Sequence, residues 1–177
     1  GHSIRLTQAG PALLPSARRI LQELEDSRRA LANLSGAVRG TLSVGTSHHI
    51  GLHHLPPILR VFTAAYPDVQ LDLRFMDSEA ACRAVDQGDL ELGIVTLPPA
   101  AYGHLELTPV WDDPLELVAA RDHPLAARRR LRPEDLARFP AILPGPGTYT
   151  RQRVEQAFAP LGLELRVGLA TSYLETI

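Results

Sequence analysis

The chain of 177 residues contains no lysine and a single cysteine, Cys82. One cysteine excludes an internal disulfide framework and a cysteine-built metal cage. Within Ala80-Ala81-Cys82-Arg83-Ala84 it reads as a small packed thiol on a helix, since a redox sensor would need a partner cysteine. No apolar run approaches the roughly 18–20 residues that cross a bilayer. The opening Gly1-His2-Ser3-Ile4-Arg5 also lacks the apolar stretch of a secretory signal. A cytoplasmic location without membrane association is expected. There is no GxSxG elbow, no phosphate loop and no GxGxxG fingerprint, so no catalytic set and no cofactor are expected.

What is present describes a globular chain: 45% of residues are apolar and 21% charged. The net charge of −2 argues against a self-sufficient nucleic-acid binder. All 18 basic residues are arginine, a bias of composition. They are unevenly spread. Residues 1–40 hold six arginines against Glu23, Glu25 and Asp26, whereas the remaining 137 residues hold 12 arginines and 17 acids. A basic arm followed by a mildly acidic body suggests two joined tasks.

Leu14, Ala17, Leu21, Leu24, Arg28 and Leu31 recur at spacings of three and four, which predicts one long helix over about residues 7–35. Thr7 is its expected N-cap and Gly36 its expected stop. At roughly 1.5 Å per residue it would exceed 40 Å, more than a small body can cover, so its leucines are expected to form an intermolecular seam. Beyond Gly36, strands at 41–46, 69–75 and 90–96 alternate with helices at 52–66 and 78–87. Strands at 105–111 and 115–120 should follow, then an exposed arginine loop at 128–132 and a short helix at 133–138. A strand at 141–143, a helix at 151–160, a strand at 164–170 and the start of a helix at Ser172 or Tyr173 complete the reading. Alternating strands and helices imply right-handed crossovers and largely parallel sheets. Ending one turn into a helix, the chain reads as a fragment of a longer protein.

In open parallel sheets, ligands gather at the carboxyl ends of strands, where helix N-termini present N–H groups that favour anions. Three junctions there are rich in hydroxyls and glycine: Thr46-Ser47-His48-His49, Pro144-Gly145-Pro146-Gly147-Thr148-Tyr149-Thr150, and Thr171-Ser172. Thr96 ends a strand on the same rim. Each junction alone could be only a cap or turn; several together suggest a small-ligand cleft. Arg151 is the nearest candidate for a carboxylate clamp. His49 and His53, four apart, would share a helix face, but with no HExxH carboxylate and no third ligand evident, no metal site is expected.

The run Ile4-Arg5-Leu6-Thr7-Gln8-Ala9-Gly10, continuing through Pro11 to Leu21, resembles the junction of wing and linker helix in LysR-type transcriptional regulators. Gly40–Thr46 resembles the first strand of that family's effector domain. Leu55-Pro56 with Phe62, Tyr66 and Pro67 resembles its first helix, Gly88–Ile94 its GxLDxGI strand, and His123-Pro124-Leu125 its HPL turn. The resemblance covers nearly the whole chain, in the family's order. It implies an α/β, two-lobed effector domain of periplasmic-binding-protein type with mostly parallel sheets. The wing remnant and linker would occupy residues 1–40, the first lobe 41–114, and an incomplete second lobe 115–177.

The resemblance also implies roles. Thr46, Ser47, His48, Thr96, Gly147, Thr148, Tyr149 and Ser172 would bind a small polar, anionic effector between the lobes. Leu14, Leu21, Leu24 and Leu31 would pair two chains, with a tetramer in the full protein. Arg5 would contact a DNA phosphate or remain a surface charge. Promoter DNA would be read through an N-terminal domain absent from this chain, and RNA polymerase would be a partner of the whole regulator. Two rival readings remain. A stand-alone solute-binding protein would need an export signal and no basic leucine seam. An enzyme would need a carboxylate within reach of His48 or His49.

Overall fold

The computed structural model describes residues 6–33, 38–100 and 104–171. Helix α1 spans Gly10–Asn33. It begins three residues after Thr7, because a turn comes first: the Gly10 N–H donates to the Thr7 carbonyl at 2.9 Å. Pro15 lies inside the helix, in its second turn, near the end where missing N–H donors cost least. The expected stop at Gly36 falls outside the described residues.

The chain divides into two compact units, Gly1–Val95 and Thr96–Ile177. The lobe boundary expected after residue 114 lies inside the second of these. In the first unit, strands β1 (Gly40–Thr46), β2 (Val69–Phe75) and β3 (Leu92–Ile94) form a parallel sheet in the order β2-β1-β3. β1 is the central strand and pairs along its whole length with β2, setting Thr46 opposite Phe75. β3 is shorter than expected because only Val44, Gly45 and Thr46 offer it partners. Glu91 secures its entry: the Glu91 carboxylate accepts from the Ser43 N–H at 3.0 Å, and the Ser43 hydroxyl accepts from the Glu91 N–H at 3.2 Å.

A π turn, Ile50–His54, and helix α2, Leu55–Ala65, cross from β1 to β2; α3, Ser78–Asp86, crosses from β2 to β3. The π turn was not expected; the sequence suggested a plain α-helix from Leu52. The core of this unit is Val44, Ile50, Leu55, Ala81, Cys82 and Leu90, all nearly or fully buried. Cys82 is thus packed as its alanine-rich surroundings suggested. α1 is tethered to the unit by Arg18, whose Nη1 lies 3.2 Å from Gln87 Oε1 and 3.6 Å from Asp89 Oδ2.

In the second unit, β4 (Ala141–Pro144) and β5 (Val167–Thr171) pair in parallel. Helix α5, Tyr149–Phe158, crosses between them, and a short α4, Pro133–Leu136, precedes them. The buried apolar residues here are Leu125, Leu143 and Tyr149. The strands expected at 105–111 and 115–120 are absent, and residues 105–120 carry no regular structure. A strand needs a neighbour's backbone to complete its ladder. Among the described residues no strand pairs with this segment, and Val110 and Val118 stay exposed. The helix expected from Ser172 falls outside the described residues. The α/β class with parallel sheets agrees with expectation. Among the described residues, no helix is long and apolar enough to cross a membrane.

Candidate functional site

The end of β1 is the first place where polar side chains meet a helix start. Thr46 is fully buried and its hydroxyl donates to the Ile94 carbonyl at 2.9 Å, tying β1 to β3. The Thr46 carbonyl accepts from the Met76 N–H, also at 2.9 Å, tying β1 to the residue after β2. Thr46 therefore lies beneath the rim, with its proton committed to the sheet. Ser47 is half-buried and caps the helical run that begins at His48. Its hydroxyl accepts from the Ile50 N–H over a long 3.4 Å, and its carbonyl accepts from the Gly51 N–H at 2.9 Å. Such a long cap bond leaves the hydroxyl available to a ligand while the backbone bond holds the turn.

His48 lies against Phe75, ring centroids 5.0 Å apart. Sequence reasoning overlooked Phe75, although the parallel register that sets it opposite Thr46 follows from aligning the two strands. Below it, Gly51 admits the Phe75 ring. A Cβ added there would lie 2.4 Å from Phe75 Cε1 and 3.0 Å from the buried Thr46 methyl. The π turn is therefore seated on the sheet end from beneath, by Ile50, Gly51 and Leu55.

The second unit builds its rim differently. The Gly145 N–H donates to the Thr171 carbonyl at 2.9 Å, joining the ends of β4 and β5. Gly147 sits at φ +88°, a left-handed conformation that favours glycine. Thr148 then caps α5: its hydroxyl donates to the Gly145 carbonyl at 2.9 Å and accepts from the Arg151 N–H at 3.3 Å. Tyr149 is buried under this turn. Arg151 is ion-paired with Glu155 one turn along, at 2.6 Å. Gly147, Thr148, Tyr149 and Thr171 thus share one strand-to-helix corner. Thr96 is half-buried and carries no strand. Ser172 and Arg5 fall outside the described residues. On α1 the four seam leucines, Leu14, Leu21, Leu24 and Leu31, are all exposed.

Each corner puts hydroxyls and the N-terminal N–H groups of a helix at the carboxyl end of a parallel strand, chemistry suited to a carboxylate or phosphate. A separate groove on α2, lined by Pro57, Ile58, Val61, Phe62, Ala65 and Tyr66, has an almost wholly apolar surface and offers an anion nothing.

With this arrangement in view, the comparisons with known proteins are specific. The LysR substrate binding domain family matches residues 35–177. The chain belongs to that family. It is 33% identical over 178 residues to the HTH-type transcriptional regulator CbbR of Rhodospirillum rubrum, covering 100% of this chain and 58% of that protein. The regulatory domain of CcmR from Synechocystis PCC6803, solved in complex with 2-PG, is similar with a TM-score of 0.67 at 26% identity, over 78% of this chain and 65% of that one. The effector binding domain of QuiR, solved in complex with shikimate, gives a TM-score of 0.67 at 19% identity, over 78% of this chain and 66% of the other, a likeness of fold alone. The chain spans about half the length of the curated relatives it matches.

Proposed function

We propose that the chain is the effector-sensing part of a LysR-type, DNA-binding transcriptional regulator, and that it takes a small, polar, anionic metabolite at the hydroxyl-bearing strand ends. The observation carrying this reading is the repetition, in each unit, of a parallel strand ending in a hydroxyl-capped helix; similar solved structures include complexes with 2-PG and, for the fold alone, with shikimate. Ser47 and His48 in the first unit, and Thr148 with the α5 N-terminus in the second, would each supply contacts at their own strand end, with Thr46 and Tyr149 holding them in place. Thr96 and Ser172 remain part of this proposed set.

The effector would act by binding two arrangements of the protein unequally, since equal affinity shifts no equilibrium. The exposed leucines of α1 would pair two chains, with a tetramer, promoter contacts and RNA polymerase belonging to the full-length regulator in the cytoplasm. Catalysis is no part of this reading, and the curated relatives are named as transcriptional regulators.

Thermal denaturation against a panel of small carboxylates and phosphorylated acids tests it. A ligand of the folded state at 100 times its Kd stabilises by about 2.7 kcal/mol, visible as a rise in Tm. The rise should shrink at least fivefold at fixed concentration in Ser47→Ala, whose own Tm should barely change because its cap bond is long. A panel with no ligand among the anions, or a hit indifferent to Ser47→Ala and Thr148→Ala, overturns the assignment.

A further inference from the structure

The four exposed leucines of α1 do not by themselves decide how two such helices would pair. Counted as heptads, the core positions of the helix are Leu14, Ala17, Leu21, Leu24, Arg28 and Leu31. In a parallel pair in register, each residue meets its own copy. The leucines are then matched, but Ala17 faces Ala17 across a gap, and Arg28 faces Arg28 with two like charges inside the seam. In an antiparallel pair, Leu14 meets Leu31 and Leu21 meets Leu24. Arg28, the largest residue of the set, then meets Ala17, the smallest. All three pairs share one midpoint, between Gln22 and Glu23, so a single two-fold axis satisfies them together. A shift of one heptad in either direction leaves two leucines of each chain without a leucine opposite.

We propose that Arg28 sets the orientation and register of the α1 pair, by taking the space over Ala17 of an antiparallel second copy. This rests on the self-pairing proposed above, and adds the residue that selects one arrangement among those the leucines allow. Both positions are open to a second chain: Arg28 is exposed and Ala17 half-buried. The charge of Arg28 is answered within its own helix, where its Nη1 lies 2.8 Å from Glu25 Oε1. Glu25 flanks the seam, and in the antiparallel pair it would also face Arg18 of the second copy, an acid between two arginines. In the parallel pair it would face Ile20 and gain no charge partner. Arg18 lies 3.6 Å from Asp89 Oδ2, so Glu25 would share it with that acid. An arginine stem can lie along apolar surface while its guanidinium reaches water. An alanine opposite leaves room for that path, where a second arginine would block it. One polar core position weakens a helix pair but defines its register.

Cross-linking tests this on the 177-residue chain in a Cys82→Ala background, which removes its one native thiol. A tagged Leu14→Cys chain and an untagged Leu31→Cys chain are mixed and joined with a short bifunctional thiol reagent. The two positions adjoin in the antiparallel pair but stand about 25 Å apart in the parallel one, at roughly 1.5 Å per residue. The mixed product should exceed either self-product about tenfold. Adding Arg28→Leu should bring the self-products to within about twofold of the mixed one, because a leucine there suits both orientations. Arg28→Lys, which keeps a long charged stem, should preserve the preference. The proposal is overturned if self-products dominate, or if Arg28→Leu leaves the preference unchanged. Light scattering separates its failure from that of the pairing beneath it. A chain still monomeric at millimolar concentration removes both, whereas a dimer with the wrong cross-links removes only the role of Arg28.

Discussion

The two strand-to-helix corners use the same residue types under opposite packing. At the end of β1, Gly45, Thr46 and Gly51 are pressed by neighbours: a Cβ at Gly45 would lie 2.5 Å from Leu90 Cδ1 and 3.2 Å from Ala81 Cβ, both on buried residues. At the end of β4, a Cβ at Gly145 or Gly147 would meet nothing within 4 Å. The first corner is held by core packing, and its threonine is spent on the sheet. The second is held by its own turn, through the Thr148 hydroxyl and the left-handed Gly147. Similar composition therefore does not mean similar availability to a ligand. The hydroxyl most open to one is Ser47 in the first corner, while Thr148 in the second must share its oxygen with the cap.

Substitutions can break or sharpen this contrast. The largest effect belongs to Leu55→Ala. The side chain is fully buried, so its removal should cost about 2–5 kcal/mol. Leu143→Ala, under the looser corner and 9% exposed, should fall at or below the bottom of that range. Urea unfolding followed by circular dichroism measures both, and equal losses would abolish the distinction. Next comes the glycine pair. Gly45→Ala should destabilise by about 1–3 kcal/mol through overpacking against Leu90 and, on α3, Ala81. Gly145→Ala, with open space and no positive φ, should be neutral or stabilise by about 0.4–1 kcal/mol through the unfolded chain. The caps differ less. Thr148→Ala should cost about 1 kcal/mol, with Thr148→Ser recovering most of it. Ser47→Ala, whose cap bond is 3.4 Å long, should lose only a few tenths of a kcal/mol by the same measure. A larger loss at Ser47 would mean that its hydroxyl serves the fold and not a ligand.

Much of this architecture was legible in the sequence, and the exceptions have a common cause. β1, β2 and β4 announce themselves by apolar patterning between helical segments, and their parallel pairing follows from the crossovers. Thr148 was readable as part of a helix-start junction because Gly, Thr and a following amphipathic run coincide. The strands expected at 105–111 and 115–120 failed because alternation in sequence says that a segment can pair, not that a partner is present. The π turn was invisible for a related reason. Its widened geometry comes from seating Ile50, Gly51 and Leu55 on the sheet end, a tertiary demand that no local spacing records. Thr46 shows the limit at the candidate site: a hydroxyl at a strand end can serve a ligand or the next strand, and only the 2.9 Å bond to Ile94 reveals which it serves here.

The smallest expected effect lies at α4, where electrostatics takes the place of packing. Asp135 accepts from the Arg132 N–H at 3.1 Å and is ion-paired with Arg128. The backbone hydrogen bond first, and the Arg128 guanidinium second, hold its carboxyl below the usual carboxylate range. Both favour the charged form. Because the folded value lies below the unfolded one, the contribution to stability is fully present above the ordinary aspartate pKa of about 3.9 and is lost as pH falls through the folded value. The carboxyl carbon of Asp135, followed by NMR, should therefore titrate with a midpoint below about 3.9. Arg128→Ala should raise that midpoint only part of the way, because the Arg132 N–H remains. Were Arg128→Ala to restore the ordinary value completely, the ion pair and not the helix cap would be what organises this end of the second unit. Its resemblance to the self-capped corner at Thr148 would then be superficial.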